Sequence, residues 1–334
     1  MTNKIRKRKL DHIRICLKKN VEAGNPGFDR YRLIHAELPE INFDDISLRT
    51  KFLGHSFDYP FIIEAITGGS KKAKRINKDL AAIAQEFNIG FGVGSQRIAI
   101  ENPDLEDTYR VRDVASDIFL IANLGAIQLN YGFGIEECES AIEMIDADAL
   151  ALHLNPLQEV IQMEGNRNFS NLSEKINRIA RDIKKPVIVK SVGSGISYET
   201  AKKLKVSAID TGGVGGTSWS LIEGYRGGKR AESIGRTFSN WGIPTAECIR
   251  ELSKLKIPII ASGGIRSGID AAKSIALGAK MIGVALPLLR AWDRDGVNGV
   301  RDYLEEFLLE LKISMFLTGS STLEDLYGKI EILG

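Results

Sequence analysis

Eight short, β-rich apolar runs recur along the chain, and no other feature constrains the fold as much. They fall at 61–66, 89–93, 118–123, 149–154, 187–192, 208–211, 259–262 and 281–285. Near-continuous apolar runs of this length imply strands buried on both faces. Between most of them the apolar residues change to i, i+3, i+4, i+7 spacing, as over 77–87, 172–183, 246–255 and 268–277, which predicts amphipathic helices. Eight strands alternating with helices require a helix-covered parallel sheet. They point to an α/β fold, a (β/α)8 TIM barrel, rather than an open doubly wound sheet. Residues 1–59 read as an N-terminal extension carrying a basic arm, and 60–334 as a single barrel domain. Residues 212–244 separate the sixth strand from its helix with a Gly/Ser/Arg-rich stretch, expected as a long loop over the site, a lid.

Composition narrows the setting. A chain of 334 residues with 43% apolar content can bury a large core. Its 45 basic and 43 acidic residues leave a net charge of +2, too small for a field that would draw in nucleic acid or a membrane surface. Cys16, Cys138 and Cys248 are scattered with no CxxC pair, which argues against a disulfide framework, a zinc site or an iron–sulfur cluster and for a cytoplasmic setting. No apolar run is long enough to span a bilayer, and the basic N-terminus is not followed by a secretory apolar region.

Barrel chemistry sits at the C-terminal ends of the strands, so those ends form the candidate site. In chain order they read Thr67-Gly68-Gly69, Gly94-Ser95-Gln96-Arg97, Asn123-Leu124-Gly125, "ALHLNPLQE", Lys190-Ser191, "TGGVGGT" and "SGGIRSG". Glycines after strands are common turn residues and a lone Ser or Asn is commonly a cap. A lysine inside an apolar strand is different, because burial without a partner is costly. The two glycine clusters offer backbone N–H groups to phosphate oxygens, and Ser267 or Gly268 opens a helix whose N-terminus favours an anion. The chain lacks a GxGxxG in strand-turn-helix context, so a phosphate-bearing nucleotide cofactor held at the rim fits better than a dinucleotide fold. Lys190 would stabilise negative charge on its ring; a Schiff-base lysine is the alternative.

In "ALHLNPLQE" an apolar strand ends in His153, Asn155, Gln158 and Glu159. His153, at the rim, is expected to donate to a phosphate; a satisfied core histidine is the alternative. His35 and His55 carry no such argument. Lys4, Arg6, Lys7, Arg8 and Lys9 form a basic arm, which in isolation reads as a solvated segment and beside an anionic substrate as a clamp. Trp219 and Trp241 either wall an apolar pocket or anchor the 212–244 stretch to the barrel.

Taken in order, "RKLDH", "LIHAELPE", "TGG", "GVGSQR", "NLGA", "LHLNPLQE", "DTGGVGGTSW" and "ASGGIRSG" resemble the motifs of type 2 isopentenyl diphosphate isomerase over almost the whole chain. The resemblance implies a flavoenzyme that interconverts isopentenyl and dimethylallyl diphosphate. It implies FMN, active in its reduced form, Mg2+, NADPH or NADH only as flavin reductant, and a homo-oligomer, a tetramer or octamer. Carried over by position, Thr67, Gly68, Gly69, Ser95, Asn123, Lys190, Thr217, Gly263, Gly264, Arg266, Ala285 and Leu286 would hold FMN. Arg8, Lys9, His12, Ser95, Arg97, His153 and Asn155 would bind the substrate, with Gln158 beside the isoprenoid carbon and Glu159 on Mg2+. Asp11 in "RKLDH" stands where Glu is commoner and keeps the charge.

The chemistry is consistent with that resemblance. Moving a double bond along an unactivated alkene needs one proton added and another removed, through positive charge at a tertiary centre. A neutral amide such as Gln158 is a poor acid and base. The expectation is therefore that reduced flavin supplies the main acid/base group, with Gln158 and Lys190 in catalytic support. The rival reading is an FMN-dependent hydride-transfer oxidoreductase of a small hydroxy substrate. Hydroxy-acid oxidation in such barrels uses a histidine late in the chain, yet none follows His153, and "TGGVGGTSW" lacks the cysteine of a nucleotide dehydrogenase. A catalytically inactive flavin- or RNA-binding barrel is the remaining alternative; Gln158, Glu159 and His153 favour an enzyme.

Overall fold

The computed structural model describes residues 2–333, with side chains from Lys7 onward, so the Lys4 and Arg6 side chains of the expected arm lie outside the described residues. The eight apolar runs form the strands β1 (Phe61–Ile63), β2 (Gly90–Gly92), β3 (Leu120–Gly125), β4 (Ala149–Leu154), β5 (Val187–Ser191), β6 (Ala208–Asp210), β7 (Ile259–Ser262) and β8 (Met281–Val284). All neighbouring pairs are parallel, and β8 pairs with β1 to close the barrel. Several strands are shorter than their apolar runs, because residues such as 64–67 and 285 leave the ladder to form the rim.

The register explains how chemistry is gathered. His153, Lys190 and Asp210 lie side by side on β4, β5 and β6. Side chains alternate with period two along a strand, so these three share one inward-facing layer. Two residues lower, the same inward positions carry Ala151, Ile188 and Ala208, part of a separate apolar cluster inside the barrel. That cluster is closed from below by an antiparallel hairpin of Thr50–Phe52 and His55–Phe57, whose Phe52 and Phe57 pack on Phe119.

Around the strands lie the helices α1 (Thr2–Lys18), α2 (Lys71–Glu86), α3 (Arg97–Glu101), α4 (Ile135–Ile145), α5 (Pro156–Ile161), α6 (Leu172–Asp182), α7 (Tyr198–Ala201), α8 (Trp219–Gly227), α9 (Lys229–Thr237), α10 (Thr245–Leu252), α11 (Gly268–Ala276) and α12 (Leu286–Phe316). Ser70 caps α2 by accepting from the Ala73 amide, and Ser267 caps α11 in a capping box with Asp270. α12 breaks at Asp295–Gly296, where Gly296 takes a φ of 57°. The N-terminal extension is tied to the barrel: Tyr31–Leu33 pairs antiparallel with Ile330–Ile332, and α1 lies across the mouth.

The 212–244 stretch departs from expectation. Instead of a long loop it contains α8 and α9, packed on each other as a helical hairpin. Gly235 carries no side chain because a Cβ there would lie 2.3 Å from the Ser220 carbonyl of α8. The glycines that suggest a flexible loop therefore allow two helices to approach.

Candidate active site

At the C-terminal end of the barrel lies a cavity of ≈ 250 Å³; the next two hold ≈ 10 Å³ each, room for one water. Of these three, only the first can take a cofactor and a substrate.

Its floor is the polar layer of the strands. Lys190 is 8% exposed, and its Nζ contacts the Glu64 carboxylate and lies 2.9 Å from Asp210 Oδ2. Burial works against the Lys190 ammonium, but Asp210 and Glu64 outweigh it and raise its pKa above that of an ordinary lysine. The primary amine is thereby held as a cation, which disfavours the Schiff-base alternative. Beside it, Asn123 donates to the Val93 carbonyl at 3.0 Å, leaving its amide oxygen to accept from His153 Nδ1 at 2.9 Å. That chain of bonds assigns the tautomer: Nδ1 carries the proton and Nε2 is an acceptor. Burial, then Lys190 and Lys9, push His153 down to about 3. The resting imidazole is neutral, so the phosphate-donor role expected of His153 requires that an arriving anion bring a proton with it.

The upper wall comes from α1. Arg8, Lys9, His12, Ile13 and Cys16 recur at helical spacing and line the cavity with one face. Lys9 Nζ donates to the Ser95 carbonyl at 2.6 Å and to the Tyr109 hydroxyl at 2.5 Å. Burial and the neighbouring Arg8 push it down to about 7. Arg8 Nη1 is 3.6 Å from Glu164, and burial lowers its pKa. Arg97, on α3, pairs with Glu101 at 2.8 Å and reaches the cavity edge.

Glu223, on α8, is a functional candidate that sequence reading missed. It is 1% exposed; Oε1 bonds His12 Nε2 at 2.9 Å and accepts from Gln158 Nε2 at 3.2 Å, while Oε2 accepts from Arg226 at 2.7 Å. Burial alone would raise its pKa, but His12 and Arg226 hold the carboxyl at about 2. Gln158 is thus backed by a permanent anion, and its amide oxygen accepts from Asn155 at 3.1 Å. Asn155 also donates to Glu159 Oε1 at 2.9 Å, while Glu159 Oε2 accepts from the Asn166 amide at 2.6 Å. The Asn155 side-chain oxygen is buried without a partner.

The remaining wall is bare backbone. Thr217, Gly263, Gly264, Ala285 and Leu286 line it. Gly264, at φ 77°, could not carry a Cβ, which would meet the Gly215 carbonyl at 2.5 Å. The loops after β6 and β7 therefore touch through their main chains. Leu286 opens α12, so a helix N-terminus faces the same wall. Arg266 stands at its edge, its Nε donating to Glu22 at 2.9 Å. A phosphate is matched by such a set of main chain, helix N-terminus and guanidinium. With Lys190 below for the ring, the residues fit FMN.

Two expectations are corrected, and one pair of alternatives is resolved. Gly68 and Gly69 do not line the cavity; a Cβ on Gly68 would overlap the Tyr109 ring at 1.9 Å, so that glycine serves packing. The α11 N-terminus is not the anion site, because Asp270 accepts from the Arg266 and Ser267 amides and Glu310 from Gly268. Trp219 lines the cavity, with its ring 5.1 Å from His12, whereas Trp241 is 64% exposed and walls nothing there. Thr67, Ser95, Asn123 and the other expected site residues do meet at the cavity. Among the described residues, no group of three His, Cys, Asp or Glu side chains is placed to hold a metal on its own.

The fold and this site define an FMN-dependent barrel: residues 149–331 match the family described as FMN-dependent dehydrogenase. Solved structures agree on the fold. A flavocytochrome b2 mutant with benzoylformate superposes with a TM-score of 0.67 at 15% identity, covering 99% of this chain and 82% of the other. A mandelate oxidase mutant with a monooxide FMN adduct gives 0.59 at 17%, covering 93% and 90%.

Within that class the chain belongs to the isopentenyl-diphosphate delta-isomerase family. It is 46% identical to the Nostoc enzyme over 96% of this chain and 93% of that one. Against the Pyrococcus furiosus enzyme the figures are 47%, 96% and 84%, and against the Methanothrix thermoacetophila enzyme 48%, 96% and 91%.

Proposed function

We propose that this chain converts isopentenyl diphosphate to dimethylallyl diphosphate in the cavity at the barrel mouth. The observation that carries the reading is the meeting, in one cavity, of a cationic collar on α1, an amide backed by a buried carboxylate, and a bare-backbone wall beside a buried lysine. Thr67, Ser95, Asn123, Lys190, Thr217, Gly263, Gly264, Arg266, Ala285 and Leu286 would hold FMN. When bound and reduced, with NADPH or NADH as reductant, FMN would supply ring nitrogens able to exchange protons and electron density that favours a developing tertiary cation, with no net redox change.

The chain's own residues divide the remaining tasks. Arg8, Lys9, His12 and Arg97 bind the diphosphate; Arg8 offers a forked donor and Lys9 a point charge. His153 Nε2 accepts a hydrogen bond from a protonated phosphate oxygen or from a water that bridges to the phosphate. Gln158 orients the five-carbon chain, held by Asn155 on one side and Glu223 on the other. Trp219 and Ile13 give the tail apolar surface and displace water, which would otherwise intercept a cation. Glu159 would engage Mg2+, with the unpartnered Asn155 side-chain oxygen as a further oxygen ligand. This ion takes oxygen ligands and keeps several waters, so substrate phosphates would complete its shell.

No helix among the described residues is long and apolar enough to cross a membrane. All three cysteines are free and buried, with burial raising each to about 12, which suits a reducing cytoplasm. Exposed Val160 and Met163 at α5 and Ile234 and Phe238 at the end of α9 support a homo-oligomer, for which the resemblance implies a tetramer or octamer.

Anaerobic incubation of the purified protein with FMN, a reductant, Mg2+ and isopentenyl diphosphate should yield the allylic isomer, and a chelator should stop it. Bound, reduced flavin without product would sink the reading. The hydroxy-acid oxidoreductase alternative keeps the fold but lacks its base, since no histidine follows His153.

A further inference from the structure

Glu64 lines the cavity and Asp210 the small space beneath it, yet neither grips phosphate or substrate in the roles assigned above. Lys190 touches both, and the three side chains are almost wholly buried. The charge count does not close. Two ionised acids against one ammonium would leave a net negative charge in a region where uncompensated charge is costly. No second cation is at hand among the described residues: His153, the register neighbour of Lys190, is bonded to Asn123 rather than to either acid, and Lys9 at the mouth is engaged with Ser95 and Tyr109.

The donors around each carboxylate show which acid is the anion. Asp210 accepts from Ser262 Oγ and from the Gly212 amide at 3.2 Å as well as from Lys190. Besides Lys190, Glu64 has only the Ala65 amide at 3.4 Å, and the Lys190 ammonium bridges its carboxyl to that of Asp210. Gly283 makes room for it, since a Cβ there would meet Glu64 Oε1 at 2.7 Å. Beneath the three groups lies the ≈ 10 Å³ cavity, lined by all of them and Asn123.

We infer that Glu64 carries one proton, shared with Asp210, so that the floor is a neutral set of ammonium, carboxylate and carboxylic acid, and that Glu64 is thereby a positioning residue for Lys190. Burial and the Asp210 charge raise the Glu64 pKa in support, with Lys190 opposing in part. The inference rests on the reading that an FMN ring lies over Lys190: a neutral floor leaves the ammonium free to attract negative charge on that ring, whereas a net anion would oppose it.

The test compares Glu64→Gln, Asp210→Asn and the double variant, reading the ratio of affinities for reduced and oxidised FMN from the midpoint potential at mildly acid pH. Glu64→Gln keeps the shape and the donor and acceptor of a carboxylic acid. In Asp210→Asn the shared proton leaves and Glu64 becomes the anion. Each single change should therefore move the ratio by less than about twofold, while the double, which strips Lys190 of every counter-charge, departs from their product by at least about tenfold. If each single change moves it about tenfold and the two multiply, both acids are ionised and the inference is overturned. Infrared difference spectroscopy decides the proton without flavin. Wild type should show a carboxylic-acid stretch that Glu64→Gln removes, and its absence from wild type would sink the inference. A protein that retains no flavin would defeat the FMN reading alone and leave the infrared result to judge the proton.

Discussion

The two ends of the barrel interior are made by the same strands and differ in almost everything else. Low in the barrel the inward positions are Ile62, Ile121, Ala151, Ile188, Ala208, Ile260 and Met281. Two residues further along each strand they are Glu64, Asn123, His153, Lys190, Asp210, Ser262 and Gly283. Two residues of strand rise by about 7 Å, so one step of the pleat exchanges an apolar layer for a polar one. The lower layer is sealed by Phe52 and Phe57 against Phe119, with ring centroids 6.1 and 5.7 Å apart. The upper is covered by α1, whose cationic face looks down on the floor. One end is built to be inert and the other to hold charge out of water, which separates the residues that stabilise from those that react.

Breaking the upper layer should have the largest effect, because it removes both functions at once. Lys190→Met leaves the single negative charge of the Glu64–Asp210 pair without its cation, which costs about 3–5 kcal/mol where one partner of a buried pair is lost. The expected result is a protein with a lower urea midpoint that retains no flavin through gel filtration and has no detectable isomerase activity. Full flavin occupancy would show that the ring does not depend on this lysine.

Breaking the lower layer should cost similar stability and no chemistry. Phe57→Ala removes a fully buried ring, worth about 3–5 kcal/mol. Below its melting range the variant should keep flavin and a kcat/KM within about twofold of wild type, since nothing at the cavity moves. A large loss of kcat in the folded variant would show that the two ends are coupled. Between these extremes lies Glu223→Gln, which leaves flavin occupancy unchanged but removes the anion behind Gln158 and His12. Its kcat should fall about 10²-fold; an unchanged kcat would reduce Glu223 to a scaffold for α1.

The lower layer and the strands were readable from sequence, because strands buried on both faces must be continuously apolar. Lys190 was readable as an exception, a cation inside "VIVKS". Its partners were not: Glu64 interrupts the 61–66 run much as Lys190 interrupts its own, but it lies 126 residues away and nothing in the sequence pairs the two. Glu223 was hidden by composition, since Gly/Ser/Arg richness reads as loop; the available signal was the i, i+3 pairing with Arg226 in a segment of helical length. Gly68 shows the reverse error. Its glycine identity answers to the Tyr109 ring, which only the folded chain brings near. Local pattern specifies elements, whereas charge closure across the barrel needs the three-dimensional neighbours.

The smallest expected effect sharpens how the upper end is switched. Lys9 sits among protein atoms that keep it near 7 in the free protein, well below an ordinary lysine. It is therefore charged below that pH and neutral above, while binding of the diphosphate demands the ammonium. Since kcat/KM reports groups of the free enzyme, its profile should fall on the alkaline side of about 7, by about tenfold per pH unit. A guanidinium keeps its proton throughout this range, so Lys9→Arg should lose most of that alkaline limb even if its kcat/KM near neutrality drops through imperfect fit to Tyr109 and Ser95. The comparison between the two profiles, rather than either alone, isolates Lys9 from every other group that titrates nearby. Identical limbs in both proteins would place the titrating group elsewhere and leave Lys9 as a neutral strut between α1 and the barrel.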